Sequence, residues 1–286
     1  MYNILVTGSK GQLGNEIQKL ASSYPSFKFI FTDVEELDIT DVEQLDKFFN
    51  ENKIDFIINC AAYTDVDKAE THRKLADLIN VTAVKYLAEI SKKFKTKLIH
   101  ISTDYIFNGR NYKPYVETDK PDPISYYGQT KLNGEIQIEK YSGNAIIIRT
   151  SWLYSGFGNN FVKTMIKYGN ERDSLKVVAD QIGTPTYAAD LAKVILEVIP
   201  KLKDINGIEI YNFSNEGAIS WYDFAEAIMK LKNINCKITP IESKDYPTPT
   251  PRPFYSILNK AKIKNDFDIE IPYWLDSLEK CLEELK

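Results

Sequence analysis

A chain of 286 residues, 43% apolar and 27% charged, has the balance of an ordinary globular protein that folds without a partner. Its 40 acidic and 36 basic side chains leave a formal charge of −4, so there is no global positive field to draw in nucleic acid or anionic lipid, and neither partner is expected. Three cysteines, widely spaced and odd in number, fit neither a disulfide framework nor a zinc cluster, and with no basic lead or long apolar run the expected location is cytoplasmic.

Short β-branched or aromatic runs at 4–7, 27–32, 56–59, 98–102 and 145–149 alternate with longer helical patterns. Such alternation predicts an α/β fold, a Rossmann-type doubly wound parallel sheet with helices on both faces. The first run is followed by Gly8, Gly11 and Gly14, which precede the helical positions Leu13, Ile17 and Leu20. At a βα turn the first glycine allows a tight bend, the second lets the main chain approach a pyrophosphate, and the third lets helix and strand pack closely. The helix start then offers free N–H groups and a positive dipole end to a diphosphate.

Asp33 closes the second run, where a carboxylate can accept hydrogen bonds from the adenosine ribose and so favour NAD over NADP. A turn aspartate is the plainer reading, and Lys10 in the glycine loop could instead neutralise a 2′-phosphate, so NADH and NADPH both stay open. Thr40, three residues before Glu43, has capping-box spacing and predicts a helix through Leu45, Phe48 and Phe49.

His100 lies inside the apolar fourth run and is expected in the core. At the end of that run Ser102 and Thr103 place hydroxyls where one could hydrogen-bond a substrate carbonyl oxygen. Tyr127 and Lys131 form a YxxxK string at the start of a helical pattern, so their side chains share one face. An ammonium beside a phenol of ordinary pKa about 10 stabilises the phenolate and brings the tyrosine nearer working pH. About two chance matches are expected in this composition. The second match, Tyr24 with Lys28, carries Pro25 and falls between elements, and Tyr126 is out of phase with Lys131.

The regular alternation fades after about Trp152. Helical patterns at 161–168, 188–198, 221–231 and 274–285 then mix with isolated strands, and a Pro-dense stretch spans 246–253. We expect residues 1–150 to form a dinucleotide-binding domain, with later segments returning to it, and 151–286 to form mainly a smaller, intertwined substrate domain.

On these residues the chain resembles the extended short-chain dehydrogenase/reductase superfamily, and within it the dTDP-4-dehydrorhamnose reductase family, over essentially its whole length. The likeness rests on the glycine loop, on Asn59-Cys-Ala-Ala-Tyr-Thr-Asp-Val-Asp-Lys-Ala-Glu70, on Ser102-Thr-Asp-Tyr-Ile-Phe107 and on the Tyr127/Lys131 pair. It extends to Arg149-Thr-Ser-Trp-Leu-Tyr154 with Gly158-Asn-Asn-Phe161, to Asp180-Gln-Ile-Gly-Thr-Pro-Thr186 and to the Pro-dense Tyr246–Pro253 loop. The resemblance implies reduction of the C4 ketone of dTDP-4-dehydro-L-rhamnose by NADPH or NADH, supplying rhamnose for cell-surface polysaccharide. It implies a catalytic set of Thr103, Tyr127 and Lys131. It implies a cofactor set of Gly8, Gly11, Gln12, Leu13, Gly14, Asp33, Asp38, Ile39, Ala61, Ala62 and Tyr63 together with the dyad. Tyr105, Trp152, Asn160 and Arg252 are implied to hold the substrate, the first two by their flat faces and Arg252 by its guanidinium fork on the diphosphate.

Some members of that family share a magnesium ion between subunits, and with it a homodimer. Glu16 matches in position, but Ala189-Asp190 reproduces the second acidic pair only in part, so no metal is assigned. Cys60 stands where the family more often has alanine. A sugar-nucleotide epimerase or dehydratase is the nearest rival, although dehydratases typically carry Asp-Glu where this chain has Asp104-Tyr105. A non-catalytic regulatory subunit, like the β subunit of methionine adenosyltransferase, is the rival of another class. No GxSxG elbow exists, and neither His72 nor His100 has a nucleophile-and-acid setting, which argues against a hydrolase.

Overall fold

The computed structural model describes residues 1–204 and 206–285. Six parallel strands form one sheet: β1 (Tyr2–Thr7), β2 (Phe27–Thr32), β3 (Phe56–Asn59), β4 (Lys97–Thr103), β5 (Asn144–Thr150) and β6 (Gly207–Asn212). Their spatial order is β6-β5-β4-β3-β1-β2, so the direction of winding reverses between β1 and β3. A crevice opens at such a reversal beyond the carboxyl ends of the strands. All four residues of β3 and the last four of β1 are buried, as strands covered on both faces must be.

The helices that matter below are α1 (Gln12–Leu20), α2 (Val42–Glu51), α3 (Ala83–Phe94), α4 (Tyr126–Tyr141), α5 (Phe161–Glu171), α6 (Ala188–Val198), α7 (Trp221–Leu231) and α8 (Trp274–Glu284). On one face of the sheet α1 and α6 close a core containing Ile4, Val6, Ile17, Ile148, Leu191 and Ile195. On the other face α2, α3 and α4 close a second core with Leu5, Leu45, Ile57, Leu87, Ile138 and Ile147. A third core, around Tyr154, Val162, Phe224, Trp274 and Leu278, joins α5, α7 and α8 and lies apart from the sheet. The chain returns to the sheet late, because β6 pairs with β5 and α6 packs on α1.

One local expectation is corrected. Thr40 does not cap α2; Asp41 does, its carboxylate accepting from the backbone N–H groups of Glu43 and Gln44 at 3.0 Å each. A carboxylate one residue closer reaches two orphan donors and also meets the positive end of the helix dipole. The Thr40 hydroxyl donates to Asp38 instead, at 2.7 Å.

Candidate active site

At the carboxyl ends of the strands two cavities of about 570 Å3 each meet along the glycine loop. Gly11, Cys60 and Ala62 line both, so the two form one continuous cleft across the β1/β3 reversal.

The first cavity is walled by Gly8, Gly11, Asp33, Asp38, Ile39, Ala61 and Ala62. Gly8 has φ +63°, and a Cβ there would meet the Ala61 nitrogen at 2.6 Å, so the turn and the close approach of the segment after β3 both require glycine. Gly14 lines neither cavity; a Cβ on it would strike Ser9 at 2.5 Å, which makes it the contact between helix and loop. Gly11 caps α1 with no side-chain hydrogen bond and no acidic residue follows in the first turn, leaving that end suited to a diphosphate. The Asp33 carboxylate accepts from the Lys10 and Val34 backbone N–H groups at 3.0 and 2.9 Å. The Lys10 ammonium is engaged with Glu35 and Glu36, so a 2′-phosphate would have to draw it away from both. Val34, Leu75 and Leu78 add exposed apolar surface to this cavity. The flat apolar body of an adenine fits such walls, and these residues were invisible in the sequence because they come from two segments some forty residues apart.

The second cavity brings together Gln12, Leu13, Thr103, Tyr105, Tyr127, Lys131 and Trp152. Ser125 caps α4, accepting from Gly128 at 3.1 Å, so Tyr127 and Lys131 sit on the first turns of that helix. A Cβ on Gly128 would come within 2.2 Å of the Tyr105 carbonyl; the glycine lets the dyad helix press against the Thr103–Tyr105 turn. The ring of Tyr105 meets that of Tyr127 edge-on at 5.6 Å. The Thr103 hydroxyl donates to Asp104 at 3.1 Å and accepts from the Tyr105 N–H at 3.2 Å.

The electrostatics differ from the expectation drawn for the dyad. Burial pushes the Tyr127 phenol up to about 12, with the Thr103 hydroxyl opposing. The Lys131 ammonium is directed at the Ile101 carbonyl, 2.7 Å away, and its own pKa falls to about 8 because it is buried. Desolvation and the nearby Asp104 carboxylate act in the same direction, so the phenol holds its proton, which is the form an acid must start from.

Asp104 is a site residue the sequence reading passed over. It is 2% exposed, lines the cavity, and burial raises its carboxyl to about 7; one carboxylate oxygen accepts from Thr103 and the other is buried without a partner. Its position at the end of β4, beside Thr103, was the available signal. Ser102, by contrast, donates to the Glu135 carboxylate and has no hydroxyl proton left for a substrate.

Trp152 has φ +47°, a left-handed conformation unusual for a large side chain, and stacks on Trp221 with ring centres 3.6 Å apart. One face of the indole is therefore already covered. Tyr63, Asn160 and Arg252 line neither cavity. The Tyr63 N–H donates to Asn80 at 2.9 Å, and Asn160 caps α5 while donating to Gln12 at 2.9 Å, tying the glycine loop to the third core. Arg252 pairs with Asp67 at 2.9 Å and donates to the Thr250 carbonyl at 3.0 Å, so a diphosphate would compete with Asp67 for it.

The acidic side chains around Glu16 do not fit a metal ion. The Glu16 carboxylate is buried with no hydrogen-bond partner, but Asp190 already accepts from Asn215 and Ser277, and Glu284 pairs with Lys19. Among the described residues no three His, Cys, Asp or Glu side chains converge to hold an ion. Among the same residues no helix is long and apolar enough to cross a membrane.

Residues 2–286 match the family described as RmlD substrate binding domain. A dTDP-4-dehydrorhamnose reductase from Aggregatibacter actinomycetemcomitans is 40% identical, with 97% of each chain covered. Among solved structures, a dTDP-4-dehydrorhamnose reductase from Clostridium acetobutylicum has a TM-score of 0.93 at 44% identity, with 99% of each chain covered. Another, from Bacillus anthracis in complex with NADP, has a TM-score of 0.94 at 38% identity, covering 99% of this chain and all of that one.

Proposed function

The chain belongs to the RmlD substrate binding domain family, and on that premise we propose that it is an NADPH-dependent reductase converting dTDP-4-dehydro-L-rhamnose to dTDP-L-rhamnose. The observation that carries this reading is the continuity of the cleft. The start of α1 would hold a dinucleotide's diphosphate and Val34 would flank its adenine, while Tyr127, Thr103 and Lys131 line the adjoining chamber.

When bound, the reduced dinucleotide supplies the hydride. The chain's own residues do the rest. Tyr127, protonated because it is buried, gives its proton to the oxygen that was the C4 carbonyl, and the C–O double bond becomes a secondary alcohol. Thr103 donates a hydrogen bond to the same oxygen once it turns from Asp104. The phenolate left behind is stabilised by Lys131, which can pass on a proton because burial has already weakened its hold. Asp104, Tyr105 and Trp152 shape the chamber around the sugar, and Arg252 holds the diphosphate after exchanging Asp67 for it.

The same reading, through the family resemblance, includes a cytoplasmic setting and a homodimer, the latter to be read by sedimentation. The activity test is oxidation of NADPH and NADH with a panel of 4-dehydro sugar nucleotides, the product identified by NMR. Turnover of the dTDP-linked 4-dehydro-rhamnose to dTDP-L-rhamnose is expected. Cofactor that copurifies tightly and oxidised, with no net oxidation of added NAD(P)H, would point to an epimerase or dehydratase instead.

A further inference from the structure

Behind the dyad lies a buried polar chain with no part in the steps above. His100, on β4, is fully buried, and its two ring nitrogens face different partners: Nδ1 is 3.0 Å from Asn59 Nδ2, and Nε2 is 3.4 Å from Lys131 Nζ. The orientation of Asn59 is fixed independently. Its Oδ1 lies 3.2 Å from the Ala61 backbone nitrogen, which can only donate, and also accepts from the Thr7 hydroxyl at 2.7 Å. The other amide atom must then be the NH2 group, and it must donate to His100 Nδ1. Nδ1 cannot carry a hydrogen, so in the neutral ring the hydrogen sits on Nε2 and points at Lys131.

An N–H cannot accept from an ammonium, but it can donate to the lone pair of an amine. We propose that Asn59 locks His100 in its Nε2–H tautomer and that this ring acts as a positioning residue for Lys131, disfavouring the ammonium relative to the amine. Burial and the nearby lysine both hold the ring neutral, which leaves the tautomer as its only freedom, and Asn59 removes that.

The other titratable groups around Lys131 do not do this work. Glu135, on the same helix, favours the ammonium but is engaged with Arg149 of β5 and with Ser102 of β4. Tyr127 on α4, Asp104 after β4 and the half-buried Cys60 thiol after β3 line the same cavity and stay protonated more readily because they are desolvated. His100 is the one whose hydrogen is directed at the nitrogen itself. The consequence is kinetic. Lys131 loses its proton near pH 8, and the alkaline limb of reductase activity follows that loss.

Two measurements test this. With only two histidines in the chain, long-range 1H–15N spectra of the wild-type protein resolve both rings, and His72→Gln assigns them. A neutral Nε2–H tautomer for His100, constant from about pH 6 to 9, is expected; a protonated Nδ1 at any pH in that range overturns the proposal. The second measurement rests on the reductase reading. His100→Asn keeps an acceptor for Asn59 and removes the N–H facing Lys131. Its alkaline limb in kcat/KM is expected to move up by about half a pH unit or more, roughly a threefold change in the proton affinity of the amine. A limb identical to wild type overturns the proposal, whereas a purely structural role would lower the rate at every pH alike. If the wild-type chain reduced no sugar nucleotide, the reductase reading would fall while the tautomer result stood or fell by itself.

Discussion

Lys131 and Arg149 are both 2% exposed, and Glu135, one turn beyond Lys131 on α4, lies near each, yet the two cations are held in opposite ways. Arg149 grips Glu135 with Nη2 at 2.7 Å and Nε at 3.1 Å, and its Nη1 donates to the Glu117 carbonyl at 3.0 Å. Lys131 is given one carbonyl and an imidazole, and no carboxylate pairs with it among the described residues. A guanidinium so paired is a fixed charge that clamps α4 to β4 and β5. An amine buried without a carboxylate has its protonation in the balance, which is what a site that moves protons requires. The two regions show the same buried positive charge serving architecture in one place and chemistry in the other, and the difference lies in the partners.

The largest expected effect comes from breaking the clamp. Glu135→Ala leaves the guanidinium buried and unpaired and should cost about 3–5 kcal/mol in a urea unfolding experiment. A loss under about 1 kcal/mol would mean the pair is not structural. Lys131→Met sharpens the contrast: it should leave stability within about 1 kcal/mol of wild type, since no carboxylate is orphaned. Turnover should fall on the order of 100-fold. If both variants mainly lost stability, the distinction between the two cations would collapse. Arg252→Ala is expected to be smaller, raising KM for the dTDP sugar about tenfold with kcat less affected; steady-state kinetics showing an unchanged KM would leave the arginine as a partner of Asp67 alone.

Much of this was legible from residues close in sequence. The five strands, the glycine turn after the first and the helical phase of Tyr127 and Lys131 depend on local pattern, and the structure has them where the sequence indicated. What failed was set by distance or by solvent. Nothing near Gly207–Asn212 announces that it will add a sixth strand beside β5. Arg149 lies in a stretch that resembles a family motif, yet its role is fixed by Glu135 and Glu117, which come from other segments. The sign of the Tyr127 shift could not be read from a neighbouring lysine, because it depends on how completely the fold excludes water from the phenol. Thr40 and Asp41 compete for one helix end, and only the backbone angles show that Asp41 reaches it.

The proton donor is the center of the account, and Tyr127→Phe tests it most directly, since one oxygen is removed from a ring that stays packed against Tyr105. NADPH affinity by fluorescence titration should stay within about twofold of wild type while turnover of the dTDP-linked substrate falls at least about 100-fold. A variant that binds NADPH normally and keeps more than about a tenth of the wild-type rate would show that the proton comes from elsewhere.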